Sequence, residues 1–93
     1  MNNNTKQLYE RNQFKKSVKL AIKRLGKKFM SKVYSLVNEL LTNKLGFNHR
    51  DHKLTGNYDG YREFHVTPDY VVIYKFNDNL LELCDIGTHS DLF

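Results

Sequence analysis

His52, Glu63, His65, Asp69 and His89 are the residues of this sequence best suited to moving protons, with His49 and Asp51 close by. Histidine is the one side chain whose ordinary pKa lets it both take and give a proton near neutrality. Several histidines and carboxylates in one half of a short chain therefore suit concerted general acid–base catalysis. Metal-free cleavage of RNA is a reaction of that kind. A base removes the ribose 2′-OH proton, the oxygen attacks the adjacent phosphorus, and an acid protonates the departing 5′-oxygen. A cation steadies the charge on the phosphoryl oxygens, and Arg62 and Lys75 are the candidates for that task. Regular strand alternation sets both across the sheet from Glu63 and His65.

Each of these residues also has a plainer reading. His65 on a strand is explained as a half-buried, hydrogen-bonded side chain, and Asp69 after Pro68 as a turn residue. A metal centre is a sharper competitor: His49-x-x-His52, Asp69 and His89 include enough ligand types for zinc. The spacing matches no helix-borne motif such as His-Glu-x-x-His, and the single Cys84 falls on a strand, so neither a metal nor another cofactor is expected. No phosphate-binding glycine loop, nucleophile elbow or Cys-x-x-Cys pair occurs.

The elements that must position these residues follow from apolar periodicity. Residues 6–10 form a weak first strand. Phe14, Val18, Ala21, Ile22 and Leu25 share one helical face, with Asn12 as N-cap and Gly26 as the break. Phe29, Val33, Leu36, Val37, Leu40 and Leu41 mark a second helix that Gly46 terminates. Beyond residue 56 the period becomes two. Phe64 and Val66 face one way, Glu63 and His65 the other; the apolar run Tyr70 to Phe76 reads as a central strand, and Leu80 to Ile86 as a third. The expected fold is α+β, a two-helix hairpin on a small antiparallel sheet in the order β-α-α-β-β-β, as one domain over residues 1–93.

Charge divides the chain in the same place. Residues 1–50 carry twelve Lys and Arg against two acids, and residues 51–93 carry three against eight. The basic half attracts polyanions, and Lys15, Lys19 and Lys23 form an i, i+4 column suited to ribosomal RNA. Each like-charge pair in that column costs only roughly 0.2–0.5 kcal/mol. The polar start lacks the apolar core of a signal peptide, no run is long enough to span a membrane, and a lone cysteine suits a reducing cytoplasm.

Three segments, read together, resemble the YafQ-like toxins of the RelE/ParE superfamily. They are Asp51-His52-Lys53-Leu54-Thr55-Gly56, then Gly60-Tyr61-Arg62-Glu63-Phe64-His65-Val66-Thr67-Pro68-Asp69, then Gly87-Thr88-His89-Ser90-Asp91-Leu92-Phe93. The basic half is similar in pattern only. The resemblance implies a microbial-ribonuclease fold, cleavage of mRNA in the ribosomal A site, and restraint by a cognate antitoxin through which the complex binds operator DNA. It places His52, His65, Asp69, His89 and Phe93 at the family's active-site positions. Glu63 stands where relatives often carry aspartate and reaches one methylene further. His89 is then the expected general acid, His52 or His65 the base, Asp69 a positioning carboxylate, and Phe93 a stacking surface for a base. Two rivals keep the fold or the charge without the chemistry: a ParE-like inhibitor of DNA gyrase, and an RNA-binding domain.

Overall fold

Both helical spacings are realised. The computed structural model describes residues 7–42 and 49–93, and in it β1 (Gln7–Glu10) leads directly into α1 (Asn12–Leu25) and α2 (Lys27–Thr42). Phe14 and Ala21 of α1 are wholly buried, as are Met30, Val33, Leu36, Val37 and Leu40 of α2 or nearly so. Burying a side chain the size of Phe14 is worth about 1.5–3 kcal/mol, so this apolar face, more than helix propensity, holds α1 down. Leu25, expected on that face, is exposed. Gly26 takes a positive φ of 89° and donates its N–H to the Ile22 carbonyl, ending α1 where the sequence break falls. The N-cap is Arg11 instead of Asn12, and Arg11 offers no side-chain cap because a guanidinium has no acceptor for a backbone N–H; it donates instead to Glu82 and Tyr61. The expected stop at Gly46 lies outside the described residues.

The second half supplies β2 (His52–Lys53), a 3₁₀ turn at Gly56–Tyr58, β3 (Arg62–His65), β4 (Tyr70–Asn77), β5 (Leu80–Thr88) and the single turn α3 (His89–Leu92). The sheet order is β1-β5-β4-β3-β2. The expected meander β3-β4-β5 is antiparallel, and β2 extends it antiparallel to β3. β1 instead adds parallel to β5, with Gln7 opposite Leu80 and Glu10 opposite Leu83. No hairpin dictates the sense of that pair, because most of the chain lies between the two strands.

One face of the sheet packs Phe64, Val66, Val72, Tyr74, Leu81, Leu83 and Ile86 against α1 and α2. A bulge leaves Cys84 between the pairs Ile73–Asp85 and Tyr74–Leu83. The other face carries Glu63, His65, Val71 and Ile73, and α3 folds back over part of it. Gly87 permits that return: a Cβ there would stand 3.0 Å from the Asp91 Cβ. The turn is held by a reciprocal cap, Thr88 Oγ1 accepting from the Asp91 N–H and Asp91 Oδ2 accepting from the Thr88 N–H. Arg24, at the end of α1, donates to the same Asp91 carboxylate at 2.7 Å.

Candidate active site

Glu63 sits at the centre. Strand alternation turns it, with His65, away from the helices, and the side chain is only 4% exposed. Three imidazoles close on one of its oxygens: Nε2 of His52 lies 3.3 Å from Oε2, that of His89 3.5 Å, and that of His65 3.9 Å. Each ring comes from a different element. His52 is brought by β2, whose pairing sets it directly across from Glu63. His65 stands two residues along β3, and His89 opens α3. The rings of His52 and His89 flank that of His65, with centroid separations of 6.1 and 5.4 Å.

The three histidines are not equivalent. The side chains of His52 and His89 are 49% and 47% exposed, whereas that of His65 is 7% exposed. Burial, outweighing the attraction of Glu63, holds the pKa of His65 below its ordinary value, and Arg50, His89 and His52 push the same way. His65 is therefore a neutral wall between two accessible imidazoles. Its Nδ1, like Oε1 of Glu63, is buried with no hydrogen-bond partner among the described residues. Such orphans are uncommon in a folded interior. In His52, Nδ1 contacts the carbonyl of Arg50, and a carbonyl can only accept, so Nδ1 carries a proton and Nε2, facing Glu63, is the atom left to exchange one. Arg50 reaches that position with a positive φ of 53°, a strained conformation for a side-chain-bearing residue.

An exposed aromatic surface adjoins the cluster. Phe93 is 58% exposed, lies nearly parallel to the His89 ring at 5.6 Å, and meets Tyr58 edge-on at 5.1 Å. Tyr58 also donates its hydroxyl to the Leu92 carbonyl, tying the 3₁₀ turn to α3.

The structure thus brings together His52, Glu63, His65, His89 and Phe93 of the residues expected from sequence. Asp69 is exposed in the turn after Pro68, with no ion pair or hydrogen bond from its side chain among the described residues. Arg62 points to the helix side, where its Nε donates to Asp51 and to the Tyr74 hydroxyl, while Tyr74 in turn donates to Asp51. That triangle anchors the residue preceding His52. Lys75 differs from the alternation argument: register pairs Glu63 with Ile73, so Lys75 shares the face of Glu63. Parity within one strand does not carry to its neighbour; the register decides it. Its ammonium lies over the Tyr61 ring at 5.3 Å instead of at the cluster. Lys15, Lys19 and Lys23 are exposed on α1 and form no ion pair among the described residues. Sequence reasoning overlooked Arg50, Tyr58 and Asp91. Only the last had a readable signal, the Thr88-x-x-Asp91 cap pattern.

A metal could be held here, though by a different set from the one the spacing suggested. Glu63, His65 and His89 offer three ligand atoms within 4.8 Å of one another, a set that does not include His49, whose Nδ1–H donates to the His65 carbonyl. Cys84 adds no nucleophile, since burial raises its thiol to about 11.

A family model described as "Bacterial toxin of type II toxin-antitoxin system, YafQ" matches residues 6–93. The chain belongs to this family. It is 45% identical over 83 residues to the mRNA interferase toxin YafQ of Escherichia coli K12, covering 87% of this chain and 88% of that one. The crystal structure of YafQ from E. coli BL21(DE3) matches with a TM-score of 0.85 at 39% identity, covering 95% of this chain and 98% of that one. YafQ in the E. coli DinJ–YafQ complex matches with a TM-score of 0.83 at 40% identity, covering 95% and 98%. The YafQ match begins at residue 6, so it takes in the basic helices, which the sequence motifs had left out.

Proposed function

We propose that this YafQ-family toxin is an endoribonuclease that cuts mRNA in the ribosomal A site by metal-independent acid–base catalysis. The convergence of three imidazoles on one buried carboxylate oxygen carries the reading. His52 Nε2 takes the 2′-OH proton, the 2′-oxygen bonds to phosphorus, the bond to the 5′-oxygen breaks, and His89 gives that oxygen its proton. A 2′,3′-cyclic phosphate and a 5′-hydroxyl result. Glu63 faces both rings, so the imidazolium lost at His89 and the one gained at His52 meet the same negative charge. The carboxylate therefore needs no reorganisation during the proton exchange. Substrate must compete with Glu63 for the ring nitrogens, which fits contacts of 3.3 and 3.5 Å that are long for hydrogen bonds. His65 is a positioning residue in this scheme, and Asp69 acts only if RNA binding draws its turn inward.

Phe93 offers its open face to a nucleobase, and the exposed lysines of α1 hold the toxin to ribosomal RNA. A cognate antitoxin restrains it in the cytoplasm, as the DinJ–YafQ complex of the E. coli relative suggests, and carries the pair to operator DNA.

Induced expression of the wild type and of His89→Gln, with primer-extension mapping of a reporter mRNA, tests the reading. Growth arrest with in-frame cuts by the wild type, reduced about 10²–10⁴-fold in the variant, is expected. Undiminished cutting by His89→Gln overturns the assignment of the acid. Arrest by both proteins without any cuts overturns the ribonuclease reading and favours a gyrase inhibitor.

A further inference from the structure

Behind His65 lies a second concavity. Lys32 of α2, His49, Arg50 and His65 line a groove of about 240 Å³, floored by Val66 and Pro68. That volume falls below the roughly 300–1,000 Å³ of sites for drug-sized ligands and is suited to a small group. Its lining contains two permanent cations, two imidazoles and no carboxylate. A groove elsewhere on the described residues, walled by Lys53, Asp59, Tyr61, Arg62 and Phe76, makes an informative contrast. There Lys53 and Arg62 share the walls with Asp59, so charge is mixed, and Tyr61 and Phe76 bring apolar surface.

A wall with two permanent cations and no carboxylate, drawn from three separate segments, stands against a site whose proposed substrate is a polyanion. The His65 ring belongs to both: it faces Glu63 on one side and the groove on the other. Arg50 is likewise shared, its carbonyl fixing His52 while its side chain lines the groove. Its strained backbone then has two simultaneous uses.

We propose that this groove is a subsite for one backbone phosphate of RNA, clamped by Lys32 and Arg50 one imidazole away from the reacting bond. It rests on the ribonuclease reading and extends it, since it says where the chain runs on leaving the scissile position. Arg50 supplies a planar fork matched to phosphate oxygens, and Lys32 a mobile point charge from the helix side. Two RNAs could provide it, the mRNA being cut or the ribosomal RNA around it, and the recognition chemistry is the same.

Binding, not cleavage, tests the subsite. The His89→Gln protein serves as background, with a short single-stranded RNA carrying a 2′-deoxy block at the cleavage position. Lys32→Gln and Arg50→Gln are each expected to weaken its affinity about tenfold or more. Each should also lower the slope of log K against log salt by about 1. Neutral methylphosphonate is then placed at each linkage in turn. One linkage should cost the background protein about tenfold and cost the double variant nothing, which assigns the phosphate to mRNA. If no linkage behaves so but both substitutions weaken ribosome binding with the same loss of slope, the phosphate is ribosomal. Unchanged affinity and slope toward both RNA and ribosomes overturn the subsite. Because no cut is read, that failure is separate from failure of the ribonuclease reading, which the His89→Gln mapping decides.

Discussion

At the scale of single residues, one carboxylate organises the site. Glu63 is buried, strand-borne and opposed by three rings, so its neighbours are defined by it more than by one another. Alternation along β3 made the pairing of Glu63 with His65 legible in the sequence, and the motif around His89 named the third member. What the sequence hid is which imidazole can reach solvent, since exposure depends on β2 and α3, whose positions no local pattern gives. Asp69 shows the converse: a residue matched by motif need not stand at the centre of the unliganded site. Phe93 is the cleanest residue to probe. Its exposed ring touches His89 and Tyr58 and fills no core. Stacking of a base on an aromatic ring is worth about 1–3 kcal/mol, so Phe93→Ala should lower kcat/KM on ribosome-bound mRNA roughly five- to 150-fold. Phe93→Tyr should retain most of the activity, and an unaffected alanine variant would remove Phe93 from the substrate surface.

At the scale of elements, the smallest ones bring two of the three imidazoles to Glu63. The two long helices and β3 to β5 were readable because each repeats its apolar spacing several times. β2 has two residues and α3 a single turn, too short for any period to emerge. Each is specified by a contact instead: β2 by its register with β3, and α3 by its cap and by the bare Cα of Gly87. Gly87→Ala places a methyl 3.0 Å from the Asp91 Cβ and Oδ2. Overpacking of this kind costs about 1–3 kcal/mol, which in a domain this size lowers Tm by at least about 4 °C. Because α3 starts with His89, cleavage should fall as well, and retained activity with a lowered Tm would show that α3 can shift without moving the acid. The Arg24 guanidinium and the Thr88 N–H hold the Asp91 carboxyl at about 2, below its ordinary value. A carboxylate with a depressed folded pKa stabilises the fold above its unfolded pKa, near 4, and loses that contribution as pH falls toward about 2. Asp91→Asn should therefore flatten the fall of Tm across that acid window. The effect will be small, because the pair is partly exposed and screened by solvent.

At the scale of the whole molecule, charge and architecture divide along the same line. The basic helices pack on one side of the sheet, and the cluster of histidines around Glu63 opens on the other. Composition made that division legible, whereas the parallel seat of β1 was not, because it joins strands from remote parts of the chain. Docking and cutting should consequently separate. Reversing Lys15, Lys19 and Lys23 to glutamate is expected to weaken ribosome association at low salt and to reduce its salt slope by up to about three. Single-turnover cleavage of bound mRNA should be unchanged. Equal binding by the reversed protein would relieve α1 of any role in docking. The seat of β1 on β5 bears on the timing of synthesis. A growing chain that stops short of residue 80 has no edge for residues 7–10 to join, and none of the acid that His89 supplies. Long-range pairing of this kind forms late and slowly. Under the proposed scheme, cleavage therefore waits until β5 and α3, the last elements described, have been made.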